Sequence, residues 1–286
     1  MDIIQAIWHW FVDPLQYGFM VRAILVSALV GMVCAVLSCY MTLKGWALMG
    51  DAVSHAVLPG VVLAYILNIP IAIGAFIFGL GAVISIGFIK DRTRIKEDTV
   101  IGLVFTGFFA FGLVLVSKTT AAVDLSHILF GNVLGISDWS IIQTGIIGAI
   151  TMSVMFVKRK DLLLFCFDPT HARSIGINTT ALYYTLLSLL ALTIVAAQQT
   201  VGIILVIAML VTPGATGYML SDRFDRMTWL AIASSVFSSV MGTYVSRYLD
   251  ASTGGCIVVV QTLLFLVAMI FAPKHGLIAK FRHSEA

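Results

Sequence analysis

Charged residues are scarce in this chain of 286 residues. Asp, Glu, Lys and Arg together make up 11% of it, whereas hydrophobic residues make up 60%, and the mean hydropathy is +1.03. Soluble domains carry about 25% charged residues, so the composition excludes a soluble globular protein and predicts a polytopic membrane protein. The formal net charge of +3 is too small to indicate a nucleic-acid-binding surface.

Several sequence motifs are absent as well. The four cysteines show no CxxC spacing, and we predict that none is a metal ligand or a disulfide partner. The chain has no GxxxxGKS or GxxxxGKT phosphate-binding loop, so nucleotide binding must lie on a partner, and we predict no catalytic residue and no enzyme activity for this chain. Its first residues lack the basic leader and cleavage site of a signal peptide, and residues 1–17 predict an interfacial helix.

Nine apolar stretches have the length of about 20 residues that a membrane-spanning helix needs. They cover residues 20–40, 46–67, 70–89, 99–116, 139–157, 181–197, 201–220, 228–245 and 256–272. The second stretch contains Gly45, Gly50, Pro59 and Gly60, which favour a break into shorter pieces, so we predict eight to ten spans. No repeat or soluble segment interrupts them, and the sequence therefore predicts one all-α transmembrane helical bundle over residues 1–286.

Basic residues concentrate in four segments between or after the spans. These are residues 90–98, 158–161 and 221–226 and the tail 273–286. If nine spans alternate across the membrane, all four segments lie on one side, and the positive-inside rule makes that side cytoplasmic. We therefore predict an external N-terminus and a cytoplasmic C-terminus.

The second span carries two ionisable residues, Asp51 and His55, in the sequence GDAVSHAVLPG. An ionised side chain at mid-membrane costs about 2.5 to 3.5 kcal/mol, which makes such residues candidates for function. Four residues apart on a helix, the two side chains share one face. A carboxylate and an imidazole together suit Mn²⁺, Fe²⁺ or Zn²⁺ better than Ca²⁺ or Mg²⁺. The alternative is a hydrogen bond between the two that only orients helix packing.

Two further segments are candidates for function. DLSHILFGN places Asp124 and His127 in a predicted external loop, where an ordinary polar loop is the stronger explanation and metal contact or the docking of an external partner are the functional alternatives. TPGATG, residues 212–217, places Pro and Gly inside the seventh span. It predicts a broken or kinked helix whose freed carbonyls need partners, with helix packing as the alternative explanation.

Capping residues mark both ends of a short helix on the predicted cytoplasmic side. Asp168 suits the N-cap, Pro169 the first helical position, and Gly176 the left-handed residue beyond the last turn. These signals predict a helix over residues 169–175 within a cytoplasmic loop, residues 162–180. A partner protein could push against such a helix, or it could be an ordinary capped connector.

These segments, taken in chain order, resemble the permease subunits of the ABC transporter family for manganese, iron and zinc, also called ABC-3. The matching phrases run from about residue 20 to residue 277 and include GDAVSHAVLPGVVLAY, DLSHILFGNVLGIS, DPTHARSIGI, VGIILVIAMLVTPGATGYMLSDRFDRM, YLDASTGGCIVVVQT and FAPKHG. These sequence segments are most similar to those of manganese and chelated-iron permeases. The resemblance implies a fold like that of type II ABC importers, in a bacterial cytoplasmic membrane.

The resemblance also implies partners and residue roles. The partners would be two cytoplasmic ABC ATPase subunits, an external metal-binding protein and a second permease chain, identical or related. Asp51 and His55 would line the path of the ion, which is a transported substrate and not a bound cofactor. The coupling helix received by the ATPase would involve Asp168, Pro169, His171, Ala172 and Gly176. Two other functions stay open: an ion-coupled secondary carrier and a membrane scaffold that transports nothing.

Overall fold

A computed structural model describes residues 16–118 and 136–272 and residue 276, and all the regular elements in those ranges are α-helices. The predicted all-α polytopic bundle is therefore confirmed for the described part of the chain. The helices are α1 (Gly18–Lys44), α2 (Met49–Ala56), α3 (Leu58–Ile66), α4 (Ile71–Arg92), α5 (Glu97–Lys118), α6 (Asp138–Val157), α7 (Arg159–Phe167), α8 (Pro169–Ser174), α9 (Thr179–Val201), α10 (Ile203–Leu220), α11 (Phe224–Leu249) and α12 (Thr253–Phe271).

Within the described ranges these helices make nine spans long and apolar enough to cross a membrane, in agreement with the prediction. Helices α2 and α3 together form the second span, Met49–Ile66. The observed helices extend a few residues past most predicted ends, because a helix continues beyond the apolar core into the interface. Helices α9 and α10 are joined by Gly202 alone, at φ +85°, where sequence analysis left a three-residue gap.

Contacts between chain segments agree with the predicted alternation of the spans. Arg159, after the fifth span, forms an ion pair with Asp225, at the start of the eighth. Lys44, which ends α1, lies 3.7 Å from the ring centroid of Phe165 in α7. At the opposite ends of the helices, Arg22 pairs with Asp138 at 2.7 Å. Segments predicted to be cytoplasmic therefore meet one another at one end of the bundle.

Helix α1 lies at the centre and packs against α6, α7, α10 and α11. More than half of its residues are buried, including small residues such as Gly31, Ala35 and Ser38. Small side chains bring backbones close together, which is how helices associate in membranes when the hydrophobic effect gives no preference. The second span packs on the other side of the bundle, where α3 contacts α4 and α2 contacts α5.

The predicted break in the second span is confirmed. Helix α2 ends at Ala56 and α3 begins at Leu58, with Pro59 in its first turn. Proline lacks the N–H that would continue the hydrogen-bond ladder, so it starts the new helix instead of extending the old one. A Cβ on Gly60 would collide with the backbone of Gly74 in α4, so the hairpin of α3 and α4 needs glycine there.

The seventh span, by contrast, is not broken. Helix α10 continues through Pro213, and a side chain from α1 supports the weakened point. The Ser38 hydroxyl accepts a hydrogen bond from Gly214 N–H at 2.9 Å and donates one to the Val211 carbonyl at 3.2 Å. We expected protein groups to bond the backbone groups freed near Pro213. The Ser38 hydroxyl does so for two of them, and the helix continues.

The segment between the fifth and sixth spans is more helical than predicted. The sequence predicted a basic connector up to residue 161 and a loop from residue 162. Residues 159–167 instead form the helix α7. Leu162, Phe165 and Cys166 are buried, and α7 packs against α1. Burial raises the pKa of the Cys166 thiol to about 12. Helix α7 therefore anchors the loop that follows it to the bundle.

Candidate functional site

Asp51 and His55 lie on one face of α2, as their spacing predicts. His55 Nε2 is 3.2 Å from Asp51 Oδ1. The side chains are 24% exposed for His55 and 41% exposed for Asp51, whereas Ala52, Val53 and Ser54 between them are buried. The pair therefore faces an open side of the chain, and its oxygen and nitrogen atoms are accessible to an ion.

Two phenylalanines of α5 hold the His55 ring. Its centroid is 5.5 Å from that of Phe105 and 5.3 Å from that of Phe109, the second at an interplanar angle of 78°. The two phenyl rings stack on each other at 5.9 Å. Such contacts fix the plane of the imidazole. Sequence analysis missed both residues, because two phenylalanines at helical spacing in an apolar span look like ordinary packing.

Asp51 and His55 are two potential metal ligands, fewer than a closed metal site uses. No group of three or more His, Cys, Asp or Glu side chains that could hold a metal occurs in residues 16–118, 136–272 and 276. A closed structural metal site normally takes four ligands. A carboxylate and an imidazole alone suit weak and reversible binding, with water or a second chain completing the coordination. An ion held weakly at such a site would also be able to leave it.

The short helix α8 has the geometry that its sequence predicts. Asp168 Oδ1 accepts hydrogen bonds from the N–H groups of Thr170 and His171, both at 2.9 Å. The helix ends one residue earlier than predicted, at Ser174. Gly176 has φ +87°, and the closing hydrogen bond runs from Ile177 N–H to Ala172 O at 3.0 Å.

Helix α8 is mostly exposed but attached at two points. Ala172 is fully buried, whereas His171 is exposed. Arg173 Nε donates a hydrogen bond of 2.8 Å to Thr179 Oγ1, at the start of the sixth span. A partner that moved α8 would therefore also pull on α9.

An aromatic and charged cluster lies between α9 and α2. Tyr183, one turn after Thr179, meets Trp46 edge to face at a centroid distance of 5.4 Å. Trp46 is buried, and its carbonyl accepts the first backbone hydrogen bond from α2, given by Met49 N–H. Lys90 lies over the Tyr183 ring at 4.9 Å and pairs with Glu97 at 2.6 Å. This cluster connects the start of α9 with the helix that carries Asp51.

Asp124 and His127 lie outside the described residues, as do residues 1–15 of the predicted interfacial helix. Their roles stay predictions.

Comparison with known proteins identifies the family. The sequence profile of the family described as the ABC 3 transport family matches residues 16–272. This chain belongs to the ABC 3 transport family. The resemblance drawn from the sequence phrases is thereby confirmed.

Relatives within the family are membrane proteins of bacterial transport systems. The chain is 69% identical over 273 residues to the manganese transport system membrane protein MntB of Synechocystis, with 96% of this chain and 89% of that protein covered. It is 54% identical over 259 residues to the chelated iron transport system membrane protein YfeD of Yersinia pestis, covering 91% and 87%. Together with the nine spans, these relatives identify a multi-pass protein of the bacterial cytoplasmic membrane.

A solved structure shares the fold. PsaBC from Streptococcus pneumoniae, solved in complex with Fab, superposes with a TM-score of 0.84 at 37% identity, and the match covers 96% of this chain and 99% of that one. An inward-facing putative metal-chelate type ABC transporter superposes with a TM-score of 0.64 at 14% identity, covering 85% and 84%. At that identity the second likeness shows the fold alone.

Proposed function

We propose that this chain is the membrane permease subunit of an ATP-driven importer of Mn²⁺ or Fe²⁺, with Zn²⁺ as a third candidate cargo. Support comes from the manganese and chelated-iron transport systems to which its relatives belong. The observation in the chain itself is the Asp51 and His55 pair, 3.2 Å apart and accessible, in a broken membrane span. The ATPase subunits, the external binding protein and a second permease chain are partners.

The pair lowers the cost of moving an ion through the bilayer. A divalent ion loses most of its hydration on entering an apolar environment, and that loss is prohibitive without replacement ligands. The Asp51 carboxylate supplies negative charge and His55 supplies a neutral nitrogen, which together replace part of the hydration shell. Phe105 and Phe109 hold the imidazole beside the carboxylate. If two chains face each other across the path, two such pairs share the ion.

Transport requires the path to open alternately to the two sides of the membrane. We assign the coupling contact to Asp168, Pro169, His171, Ala172 and Gly176, the residues that form, cap and close α8. Movement of α8 reaches α9 through Arg173 and Thr179. From there the contact of Tyr183 with Trp46 leads to α2 and its metal ligands. ATP hydrolysis stays on the partner subunits.

The deciding experiment measures uptake of radioactive Mn²⁺ by the complete transporter in vesicles. His55→Ala should reduce uptake at least about tenfold, because one of two ligands in each chain is lost, while assembly with the ATPase is unchanged. Ser54→Ala is the matched control, since Ser54 lies on the same helix but is buried and bonded to the Gly50 carbonyl. Uptake at the normal rate by His55→Ala would reject the site.

Asp51→Asn separates metal binding from simple packing. Asparagine keeps the shape and an acceptor oxygen for the His55 hydrogen bond, but it removes the negative charge. If the pair only orients helices, uptake and thermal stability both survive. We expect stability to survive and uptake to be lost. ATP-independent exchange of metal by the same vesicles would instead indicate a secondary carrier, and no transport under any condition would indicate a scaffold.

A further inference from the structure

A cleft opens sideways between the fifth and eighth spans, away from the Asp51 and His55 pair. Its volume is about 410 Å³, within the range of small-molecule binding sites. Val36 and Tyr40 of α1 form the back wall, Met152 of α6 lies on one side, and Trp229 and Ile232 of α11 lie on the other. The lining is apolar apart from one ion pair and a few isolated polar groups.

The cleft lies at the cytoplasmic end of the bundle. Its lining residues come from the last turns of α6 and the first turns of α11, next to the basic segments 158–161 and 221–226. The ion pair of Arg159 and Asp225 closes its polar end. Trp229 is 72% exposed and Phe156 79% exposed. Exposed tryptophan near a helix end is typical of headgroup depth, so the opening faces the inner leaflet of the bilayer.

Neither water nor vacuum is a stable filling for this space. Water needs two to four polar partners, and an apolar wall does not offer them. An empty cleft forfeits the dispersion contacts of its whole lining. The neighbouring bilayer supplies acyl chains at the right depth. A hydrocarbon chain is therefore the filling that the lining and the location favour.

Within the cleft the one basic side chain, Arg159, is paired with Asp225, so the positive charge that would favour one kind of lipid headgroup lies in the flanking segments. Residues 158–161 and 221–226 contain five basic residues, Lys158, Arg159, Lys160, Arg223 and Arg226, against three acidic ones, Asp161, Asp222 and Asp225. This leaves a surplus of two positive charges. Basic residues next to a membrane attract anionic lipids.

We propose that the cleft between α6 and α11 binds one acyl chain of an anionic phospholipid of the inner leaflet, with the lipid phosphate near the basic segments 158–161 and 221–226 that flank its polar end. The site is independent of the proposed metal path, so the failure of either proposal leaves the other standing.

Tryptophan fluorescence of the full chain in detergent tests the proposal. The probe is phosphatidylglycerol with a nitroxide on its acyl chain, compared with phosphatidylcholine labelled in the same way. We expect phosphatidylglycerol to quench fluorescence saturably at about one lipid per chain, and phosphatidylcholine to need about tenfold more. Trp229→Phe should remove the saturable part of the fluorescence quenching. Trp139→Phe is the matched control, because Trp139 is 73% exposed at the other end of α6.

A second pair of variants tests the cleft itself. Ile232→Phe fills it and should weaken phosphatidylglycerol binding about tenfold, measured by native mass spectrometry. Ile146→Phe, on an exposed part of α6 outside the cleft, should leave binding unchanged. Equal quenching by both lipids, or unchanged binding in Ile232→Phe, would overturn the proposal. A disulfide between two copies of Trp229→Cys would overturn it too, by showing that a second chain covers the cleft.

Discussion

Replacing Asp168 with Ala removes both hydrogen bonds that hold the first turn of α8. The carboxylate oxygen Oδ1 accepts from Thr170 N–H and His171 N–H, each at 2.9 Å. In the Ala variant these N–H groups have only water as a partner. Asp168→Asn is the matched control, because asparagine caps helices about as well as aspartate.

The loss of an N-cap costs about 0.5 to 2 kcal/mol. Helix α8 has six residues, far fewer than an isolated helix needs in water, so it has little stability of its own to absorb that cost. The cost therefore lowers the folded fraction of α8 relative to the frayed one by about 2-fold to 30-fold. Burial of Ala172 and the hydrogen bond from Arg173 to Thr179 remain, so the lower half of that range is expected.

Two measurements on the reconstituted transporter test this reasoning. Hydrogen exchange at the amides of Thr170 and His171 should speed up in Asp168→Ala and stay normal in Asp168→Asn. The number of Mn²⁺ ions imported per ATP hydrolysed should fall by a similar factor in the Ala variant alone. Unchanged exchange would refute the capping estimate. Faster exchange with an unchanged ratio would refute the coupling role of α8.

Three further predictions concern stability and reactivity. Ser38→Ala should lower the free energy of unfolding by about 1 to 3 kcal/mol, because it removes two interhelical hydrogen bonds. Ser27→Ala should cost less, because Ser27 is equally buried but its hydroxyl bonds only to carbonyls of its own helix. An equal decrease in melting temperature for the two serine variants would contradict this. Gly60→Ala should lower the free energy of unfolding by about 1 to 3 kcal/mol, because the new Cβ collides with the α4 backbone. Gly81→Ala is the control, because its Cβ would meet open space. Equal melting temperatures of the two variants would disprove the prediction. Cys166, whose pKa is about 12, should resist iodoacetamide at pH 8 until the chain unfolds, and labelling of the native chain, located by peptide mass mapping, would exclude the buried position.

Local signals explain what could be predicted. A hydrophobic run of about 20 residues predicts a span regardless of its neighbours, because backbone polar groups in lipid must be satisfied within the helix. The spacing of Asp51 and His55 sets their shared face, and Asp168 and Gly176 mark the two ends of α8. Each of these inferences uses residues no more than about one helix apart in the chain.

Other features could not be read in this way. Helix α7 was missed because its nine residues follow a basic segment and look like connector. The aromatic contacts of His55 with Phe105 and Phe109 join residues that are 50 or more positions apart in the chain. Pro213 predicted a break, but Ser38, far away in the sequence, supports the helix at that point.

The sequence by itself determined the nine spans of the described residues, the shared face of Asp51 and His55 and the caps of α8, since hydropathy and helical spacing act over short distances. Only the tertiary structure decided which faces of the helices meet. In a span that is apolar on all sides, periodicity carries little information about the neighbour, and the fit of small residues and single hydroxyl groups selects the partner helix instead.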